Sequence, residues 1–409
     1  MCISIANAIT LEEAINLAIK VSEEARIFKE NAQRIRAEGR QATAFLKPQL
    51  NSNASYLEMR NNKEDDPYQY EYIPKREIVF GANISQVLFA GGRIWNSLSL
   101  KKQLYKQADF EEILGKRNLI LKIRNTFDNV LYKRALLEIL KDRLQQRQTE
   151  LEDAQDLRNA GMVTSLDVRQ ANLSQLSSRE EYNEGGASYS EALINFNKII
   201  GRSVNGDLLI PEGKLDDAPD LEKLLDKLKK ALEKEELVDI KFLKTQLESS
   251  NTSYKITKGE HFPELSALAS IESTGEQLDE GDCYWNVGLQ MQFLLYGGGL
   301  VSAKKASALA ELKKAKENLR KVKKDLSSDI ETIEINLKSL EIRISLQEEA
   351  VKLSKENYED ARGQYRAGTI TMTRLGEFNL SYAETRFGLM YLFFLQRNLL
   401  ASIESLLAP

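Results

Sequence analysis

Apolar side chains recur along this chain with two different periods, and the two periods occupy separate stretches. Ile78, Phe80, Ala82 and Ile84 alternate with Val79, Gly81, Asn83 and Ser85, the period-two pattern of a strand with one dry and one wet face. Leu50, Ser52, Ala54 and Tyr56 alternate likewise with Asn51, Asn53 and Ser55. Leu265, Ala267, Ala269 and Ile271 alternate with Glu264, Ser266, Leu268 and Ser270, and Trp285, Val287, Leu289 and Met291 with Asn286, Gly288, Gln290 and Gln292. Four strands are therefore predicted, over 48–58, 77–89, 263–273 and 284–296. Strands of this length suit a bilayer crossing, where roughly 9 to 11 residues suffice, and aromatic residues near their ends (Tyr56, Phe89, Tyr284, Trp285, Tyr296) suit an interfacial girdle. A half-buried soluble sandwich would alternate in the same way.

Elsewhere the period is helical. Thr10 followed by Glu13 predicts a capping box, and the helical pattern then runs unbroken to about Phe45, where Pro48 stops it. Long helices are predicted over 92–160, 165–200, 299–366 and 372–406. The first and third approach 70 residues, about 100 Å at 1.5 Å per residue, beyond any globular core. Within 299–366, Leu312, Leu319, Leu326, Ile333 and Leu340 recur every seven residues, and a second line of Ile330, Leu337, Ile344, Val351, Tyr358 and Tyr365 overlaps them. Sustained heptads are coiled-coil packing, and two seams imply neighbours on more than one side. Helices alone fit a soluble two-helix hairpin as well as the wall of a tunnel.

The chain also repeats itself. Gln86, Leu88 and Gly91-Gly92 match Gln292, Leu294 and Gly297-Gly298 at an offset of 206. Ala160-Gly161 and Thr164 match Ala367-Gly368 and Thr371 at 207, as do Asn172-Leu173-Ser174 with Arg179 and Asn379-Leu380-Ser381 with Arg386. Pro48-Gln49-Leu50 corresponds to Pro263-Glu264-Leu265. The organisation is thus one unit written twice, 9–203 and 221–407, joined by a linker or equatorial segment at 204–220, with 1–8 as a leader remnant. Four strands per chain cannot close a membrane barrel, because open edges in lipid leave backbone groups unpaired. Copies must combine, and only more than about eight strands leave an aqueous lumen, so three chains and twelve strands are the economical solution.

Composition narrows the chemistry. The 409 residues carry 57 Lys and Arg against 61 Asp and Glu, a net charge of −4 that offers no field to nucleic acid. One histidine, His261, and two cysteines, Cys2 and Cys283, leave no zinc cluster, disulfide framework or ordinary catalytic triad, so no enzyme, metal or cofactor is expected. The most apolar stretch, Phe387 to Leu395, is too short for a membrane helix. At the start, Ala6-Asn7-Ala8 has the small-x-small pattern of a signal-peptidase site, and lipidation of Cys2 is a second route to export.

Taken together, the arrangement resembles the TolC-type outer-membrane efflux and secretion channels over about Ile9 to Leu407. The likeness is carried by Pro48 and Pro263 at the helix-to-strand turns, by LFAGGR (88–93) and LLYGGG (294–299) at the strand-to-helix turns, and by AGMVTSLDVRQANL and AGTITMTRLGEFNL at the helix tips. Val87 and Phe293 stand where the family usually has proline, and Arg374 where aspartate is common. The resemblance implies a mainly α fold with a small β part. It implies a homotrimer with a twelve-stranded outer-membrane barrel set in lipid and continued by a periplasmic helical tunnel. It also implies a periplasmic adaptor and an inner-membrane transporter as partners. The other class kept open is a coiled-coil scaffold with a small β-subdomain and no transport.

Within this frame the glycine turns Gly91, Gly92, Gly297 and Gly298 lack the spacing of a phosphate loop and serve chain redirection instead. Gly161 and Gly368 read as helix C-caps, with Thr164 or Ser165 and Thr371 or Thr373 as the following N-caps. Gly161, Met162, Val163, Gly368, Thr369 and Ile370 are candidates for adaptor docking or pore closure. By motif position, the resemblance makes Tyr365 and Asp167 a hydrogen-bonding pair that shuts the periplasmic entrance and Glu377 an acidic constriction residue, with Gln170 beside them. Arg374, three positions before Glu377, is placed to neutralise it. His261 stands alone at a helix–strand junction. The acidic stretches Asn61–Glu77 and Glu272–Cys283 read as external loops, Gly185-Gly186 as a bend in its helix, and Gly201–Pro219 as irregular.

Overall fold

The computed structural model describes residues 8–58, 76–202, 207–216, 221–277 and 281–408. Residues 1–7 of the 1–8 leader, with Cys2, most of the first external loop and parts of the linker lie outside them, and Ala8 belongs to the fold. The elements, in order, are β1 (Ala8–Ile9), α1 (Leu11–Val21), α2 (Glu23–Gln41), β2 (Gln49–Glu58), β3 (Arg76–Ala90), α3 (Arg93–Asn159), α4 (Ser165–Ile199), β4 (Ile210–Pro211), α5 (Leu221–Glu233), α6 (Val238–Gly259), β5 (Glu264–Gly275), β6 (Asp282–Gln292), α7 (Leu300–Arg366) and α8 (Met372–Leu407). The fold is mainly helical with a small sheet, and α3 and α7 are 67 residues each.

Two compact units cut across the sequence repeats. One comprises 1–30, 112–240 and 322–409, the other 31–111 and 241–321. The second unit holds the antiparallel sheet, in the order β2-β3-β5-β6. Its register sorts the side chains: Leu50 pairs with Ile84, Ile84 with Ala269 and Ala269 with Val287, while Ala82 pairs with Ile271 and Ile271 with Trp285. Directly paired residues share a face, so all four apolar sets fall on one side. The other side carries the row Asn51, Asn83, Ser270 and Asn286. Leu50, Trp285, Val287, Leu289 and Met291 are exposed, so this face is open along the edge strands β2 and β6, while Leu265, Ala267 and Ala269 of β5 are half-buried.

Several boundaries differ from the pattern-based ones. β6 ends at Gln292, because its partner β5 begins at Glu264 and the preceding Pro263 has no N–H to continue the ladder. The apolar run 293–296 therefore lies beyond the strand. The second external loop shrinks, since Ser273 and Thr274 pair with Cys283 and Asp282; pairing continues past the apolar band, where polar residues looked like loop. Arg76 and Glu77 likewise belong to β3.

The first unit holds the largest core, built from Ala14, Ala18, Phe28, Ile123, Phe127, Val130, Leu193, Phe196 and Ile200, with Leu209 and Leu215 of the linker. The described part of the linker, 207–216, is more regular than expected. β4 pairs with β1, and the Asn197 side chain donates to Leu209 O (3.0 Å) and accepts from Leu209 N (2.9 Å). The first helix is not unbroken. Ser22 is extended (ψ 149°) and caps α2 through its Oγ, which accepts from Ala25 N at 3.2 Å, while Gly201 packs against it. Short side chains at both positions let the backbones approach, and a break there costs one turn of helix that the serine re-caps. Gly185-Gly186 does not interrupt α4. A β-carbon at Gly185 would lie 2.6 Å from Leu140 Cδ1, so its role is close packing of α4 on α3.

Candidate functional site: the helix-hairpin tips

The tips α3–α4 and α7–α8 are built alike. Gly161 N donates to Arg158 O (2.9 Å) and Met162 N to Leu157 O (2.8 Å). Gly368 N donates to Tyr365 O (2.9 Å) and Thr369 N to Gln364 O (3.0 Å). This is the Schellman pattern, which needs a left-handed residue, and Gly161 and Gly368 have φ of 74° and 72°. The next helix starts differently in each copy. Thr164 and Asp167 form a full capping box: Thr164 N and Oγ1 donate to Asp167 Oδ2 at 2.9 and 2.7 Å, and Asp167 N donates back to Thr164 Oγ1 at 3.4 Å. Those bonds hold the Asp167 carboxyl below the usual range. In the second copy Thr371 Oγ1 accepts from Arg374 N at 3.3 Å, but Arg374 has no carboxylate to return. Its guanidinium turns to Glu377 Oε2, 2.5 Å away, and covers the Phe378 ring at 4.8 Å from the centroid.

The two tips meet, with Met162 Cε lying over Gly368. Behind them Ala154, Ala171, Tyr358, Ala361, Tyr365, Met372 and Leu375 form a buried cluster against which Ile370 and Val168 pack. Gly161, Met162, Gln170, Gly368 and Thr369 are exposed and Val163 is half-buried. The Tyr365–Asp167 bond is absent within the chain. Asp167 is committed to Thr164, three residues away and geometrically unavoidable in a capping box, and the buried Tyr365 hydroxyl has no hydrogen-bond partner among the described residues. Burial pushes that phenol up to about 12, with Asp167, Asp153 and Glu150 opposing its ionisation.

The sequence reading missed the polar network next to this cluster. Glu150 on α3 is 0% exposed. Arg147 Nη1 donates to its Oε2 at 2.7 Å, and Tyr358 OH from α7 and Asn379 Nδ2 from α8 each donate to its Oε1 at 3.0 Å. Arg147 Nη2 also reaches Gly376 O at 3.2 Å. One turn along, Asp153 takes Arg362 Nε (3.1 Å) and Arg366 Nη2 (2.7 Å). The Tyr358 phenol lies well above its usual range, first from burial and then from Glu150. A signal was there: Arg143, Arg147, Glu150, Ala154 and Leu157 keep the 4-3-4-3 spacing of a coiled-coil seam, so charges occupy seam positions.

At the strand-to-helix turns Gly91, Gly92, Gly298 and Gly299 have φ of 56°, 80°, 62° and 83°. The left-handed pair of the second copy is thus Gly298-Gly299, not Gly297-Gly298. The offset is 207 here as at the tips, and the extra residue lies in the connection 293–297 rather than in a drifting helix. Among the described residues no cluster of His, Cys, Asp or Glu could hold a metal ion, and no helix is long and apolar enough to cross a membrane.

The sheet carries one apolar and one polar face, and each of its hairpins passes into a helix of 67 residues that ends in a glycine-capped tip. A family model for "outer membrane efflux protein" matches residues 26–202 and 231–386, and the chain belongs to that family. It is accordingly an outer-membrane efflux channel protein, from a family of channels and not of enzymes, and the scaffold alternative falls away. Solved structures agree in fold. VceC of Vibrio cholerae is 18% identical, with a TM-score of 0.80 over 97% of this chain and 95% of that one. CmeC of Campylobacter jejuni is 15% identical, at 0.79 over 97% and 85%. The open state of MtrE of Neisseria gonorrhoeae is 16% identical, at 0.78 over 100% and 93%. No curated protein sequence matches the chain.

Proposed function

We propose that three copies of this chain close a twelve-stranded barrel in the outer membrane and continue it as a periplasmic tunnel. This tunnel is the passive exit duct of a tripartite pump completed by a periplasmic adaptor and an inner-membrane transporter. The observation that carries this reading is the sheet itself: β2 and β6 are edges of the sheet among the described residues, and its apolar face is exposed along both. In lipid each unpaired edge N–H and C=O would cost several kcal/mol, so edges must be shared between copies. Two copies would give too narrow a barrel to hold water.

The helices support the same assembly. Ile335, Ile342, Leu346 and Leu353 on α7, and Leu166, Leu173 and Leu176 on α4, are exposed at heptad-like spacings. Among the described residues they are seams that nothing covers. At the tips, Gly161, Met162, Val163, Gly368, Thr369 and Ile370 offer a small, apolar surface to the adaptor. Tyr365, Asp167, Gln170, Arg374 and Glu377 form the gate, where the orphan Tyr365 hydroxyl and the charged pair meet the neighbouring copies. Native mass spectrometry of the detergent-extracted protein should give three times the 46.4 kDa chain mass, and the same preparation should conduct ions in planar bilayers. A monomer or dimer, silent in bilayers, would refute the proposal.

A further inference from the structure

The chain's charge is unevenly distributed, and the imbalance follows the sheet. All four strands of the second unit meet helices at one rim, where Gln49, Ala90, Glu264 and Gln292 lie. The helical segments leading to that rim (31–47, 92–111, 241–264 and 298–321) hold 19 Lys and Arg against 8 Asp and Glu, in a chain whose net charge is −4. The excess is present at every junction: Arg40 and Lys47 before β2, Lys101 and Lys102 after β3, Lys255 and Lys258 before β5, Lys304 and Lys305 after β6. The nearby acids are already paired: Glu38 with Arg34, Glu260 with Lys304, and Glu264 with Arg93. Arg40, Lys47, Lys102, Lys255 and Lys258 are exposed. Among the described residues, the opposite rim has the other sign, with Glu58, Glu77, Glu276 and Asp282 against Arg76.

A second set of side chains marks the same level. Trp95 is 75% exposed in the first turn of α3, Tyr296 is 86% exposed between β6 and α7, and Phe262 is exposed ahead of β5. Aromatic rings of this kind settle where hydrocarbon gives way to headgroups, and long Lys and Arg side chains just beyond them can lay their stems on the apolar zone and extend their charges to it. Basic residues near an anionic leaflet gain free energy individually and additively, within a Debye length.

We propose that these four junctions form a basic collar that binds anionic phospholipid headgroups of the leaflet facing the helices. The inference rests on the membrane-channel reading and adds a lipid class to it. The ligand is a phosphodiester-bearing lipid surface, held by ammonium and guanidinium groups outside an aromatic belt. A collar of one sign also disfavours tilting or sinking of the barrel, because lysines drawn into hydrocarbon would lose their hydration.

The test uses the extracted full-length protein with equal amounts of phosphatidylglycerol and phosphatidylcholine, and native mass spectrometry to count retained lipids. The unmodified protein should prefer phosphatidylglycerol on the order of tenfold, less so in raised salt. A variant with one change per junction (Lys47→Gln, Lys102→Gln, Lys258→Gln, Lys305→Gln) should lose the preference, while a control confined to the first unit (Lys141→Gln, Lys198→Gln, Lys227→Gln, Lys352→Gln) keeps it. Equal retention of both lipids by the unmodified protein overturns the collar. So does a junction variant that keeps the preference but shifts ion selectivity, since its lysines then face the lumen. Inorganic phosphate that displaces the lipid fully, at ionic strength matched with chloride, makes the site a phosphate site and also overturns it. Bilayer conductance of the same preparations separates the two readings: conduction without lipid preference sinks the collar alone, and silence in every lipid sinks the channel.

Discussion

The Tyr358 hydroxyl on α7 donates a 3.0 Å hydrogen bond to Glu150 on α3, joining residues 208 positions apart in a place closed to water. The bond ties the first hairpin to the second just behind their tips. The carboxylate is held at the same time by Arg147 and Asn379, so three helices converge on one buried negative charge. Such a charge stabilises only as part of its set. Removing one member leaves the others buried without a counterpart.

Glu150→Ala should therefore destabilise the first unit by about 3 to 5 kcal/mol, since Arg147 is left as an uncompensated buried cation. Tyr358→Phe deletes one donor and should cost about 1 to 2 kcal/mol. Thermal unfolding of both and of the double variant forms a cycle, and strict additivity would argue against a shared network. Hydrogen exchange should report faster opening near the tips in each variant.

Asp128 on α3 faces Arg397 of α8 at 3.8 Å, and burial pushes its carboxyl up to about 6 against the pull of Arg397 and Arg124, with Glu404 adding to the rise. The folded state thus holds a proton that the unfolded state releases near pH 4. Stability from this group is full below about pH 4 and is lost as pH rises through about 6. Between those two pH values the loss amounts to roughly 3 kcal/mol. Asp128→Asn should raise the melting temperature at pH 7 and leave it nearly unchanged at pH 4. Parallel melting curves across that range would count against the buried carboxylate.

Gly185 and Gly186 are adjacent in α4 and should respond oppositely. Alanine at 185 drives a β-carbon into Leu140, whereas at 186 nothing lies within 4 Å. Gly185→Ala should cost about 1 to 3 kcal/mol by overpacking, and Gly186→Ala should gain up to about 1 kcal/mol of helix propensity. Chemical denaturation midpoints of the two variants decide it.

Arg374 and Glu377 are exposed, so their 2.5 Å pair contributes little to stability, under about 1 kcal/mol. Its effect should lie in permeation. Arg374→Ala leaves Glu377 unpaired, and repeated around a pore this makes an acidic ring that favours cations. Single-channel conductance and reversal potential in asymmetric salt should both move, and Glu377→Gln should move selectivity the other way. If neither variant alters conductance or selectivity, the pair is a surface contact and no part of the gate.

The elements with strong periodicity were legible from residues alone. The long helices begin and end within a residue or so of their periodic stretches, because heptads, terminal glycines and N-cap threonines all point to the same ends. The apolar face of the sheet was legible because alternation fixes faces whatever the register. What escaped detection depends on pairing across distance. Strand limits at 292 and 275 depend on what the neighbouring strand can offer. The break at Ser22 depends on Gly201, far along the chain. At the tips, the Thr164 cap and the Asp167 position were legible from the motif, whereas the capping box that Asp167 closes with Thr164 within the chain was not named. The Glu150 network was readable only as polar residues at seam positions, a pattern that gives an anomaly without saying how it is satisfied.

The common offset of 207 and the equal lengths of α3 and α7 make the chain its own ruler. With the same number of residues from the glycine turn to the tip in each copy, both hairpins arrive where Met162 can rest on Gly368. One residue inserted into α3 alone would advance its tip by about 1.5 Å and rotate it by about 100°. Length changes in these helices can therefore survive only in matched pairs or in whole-turn increments. The one-residue step between Gln292 and Gly298 lies in 293–297, ahead of the glycines, where it alters neither measurement.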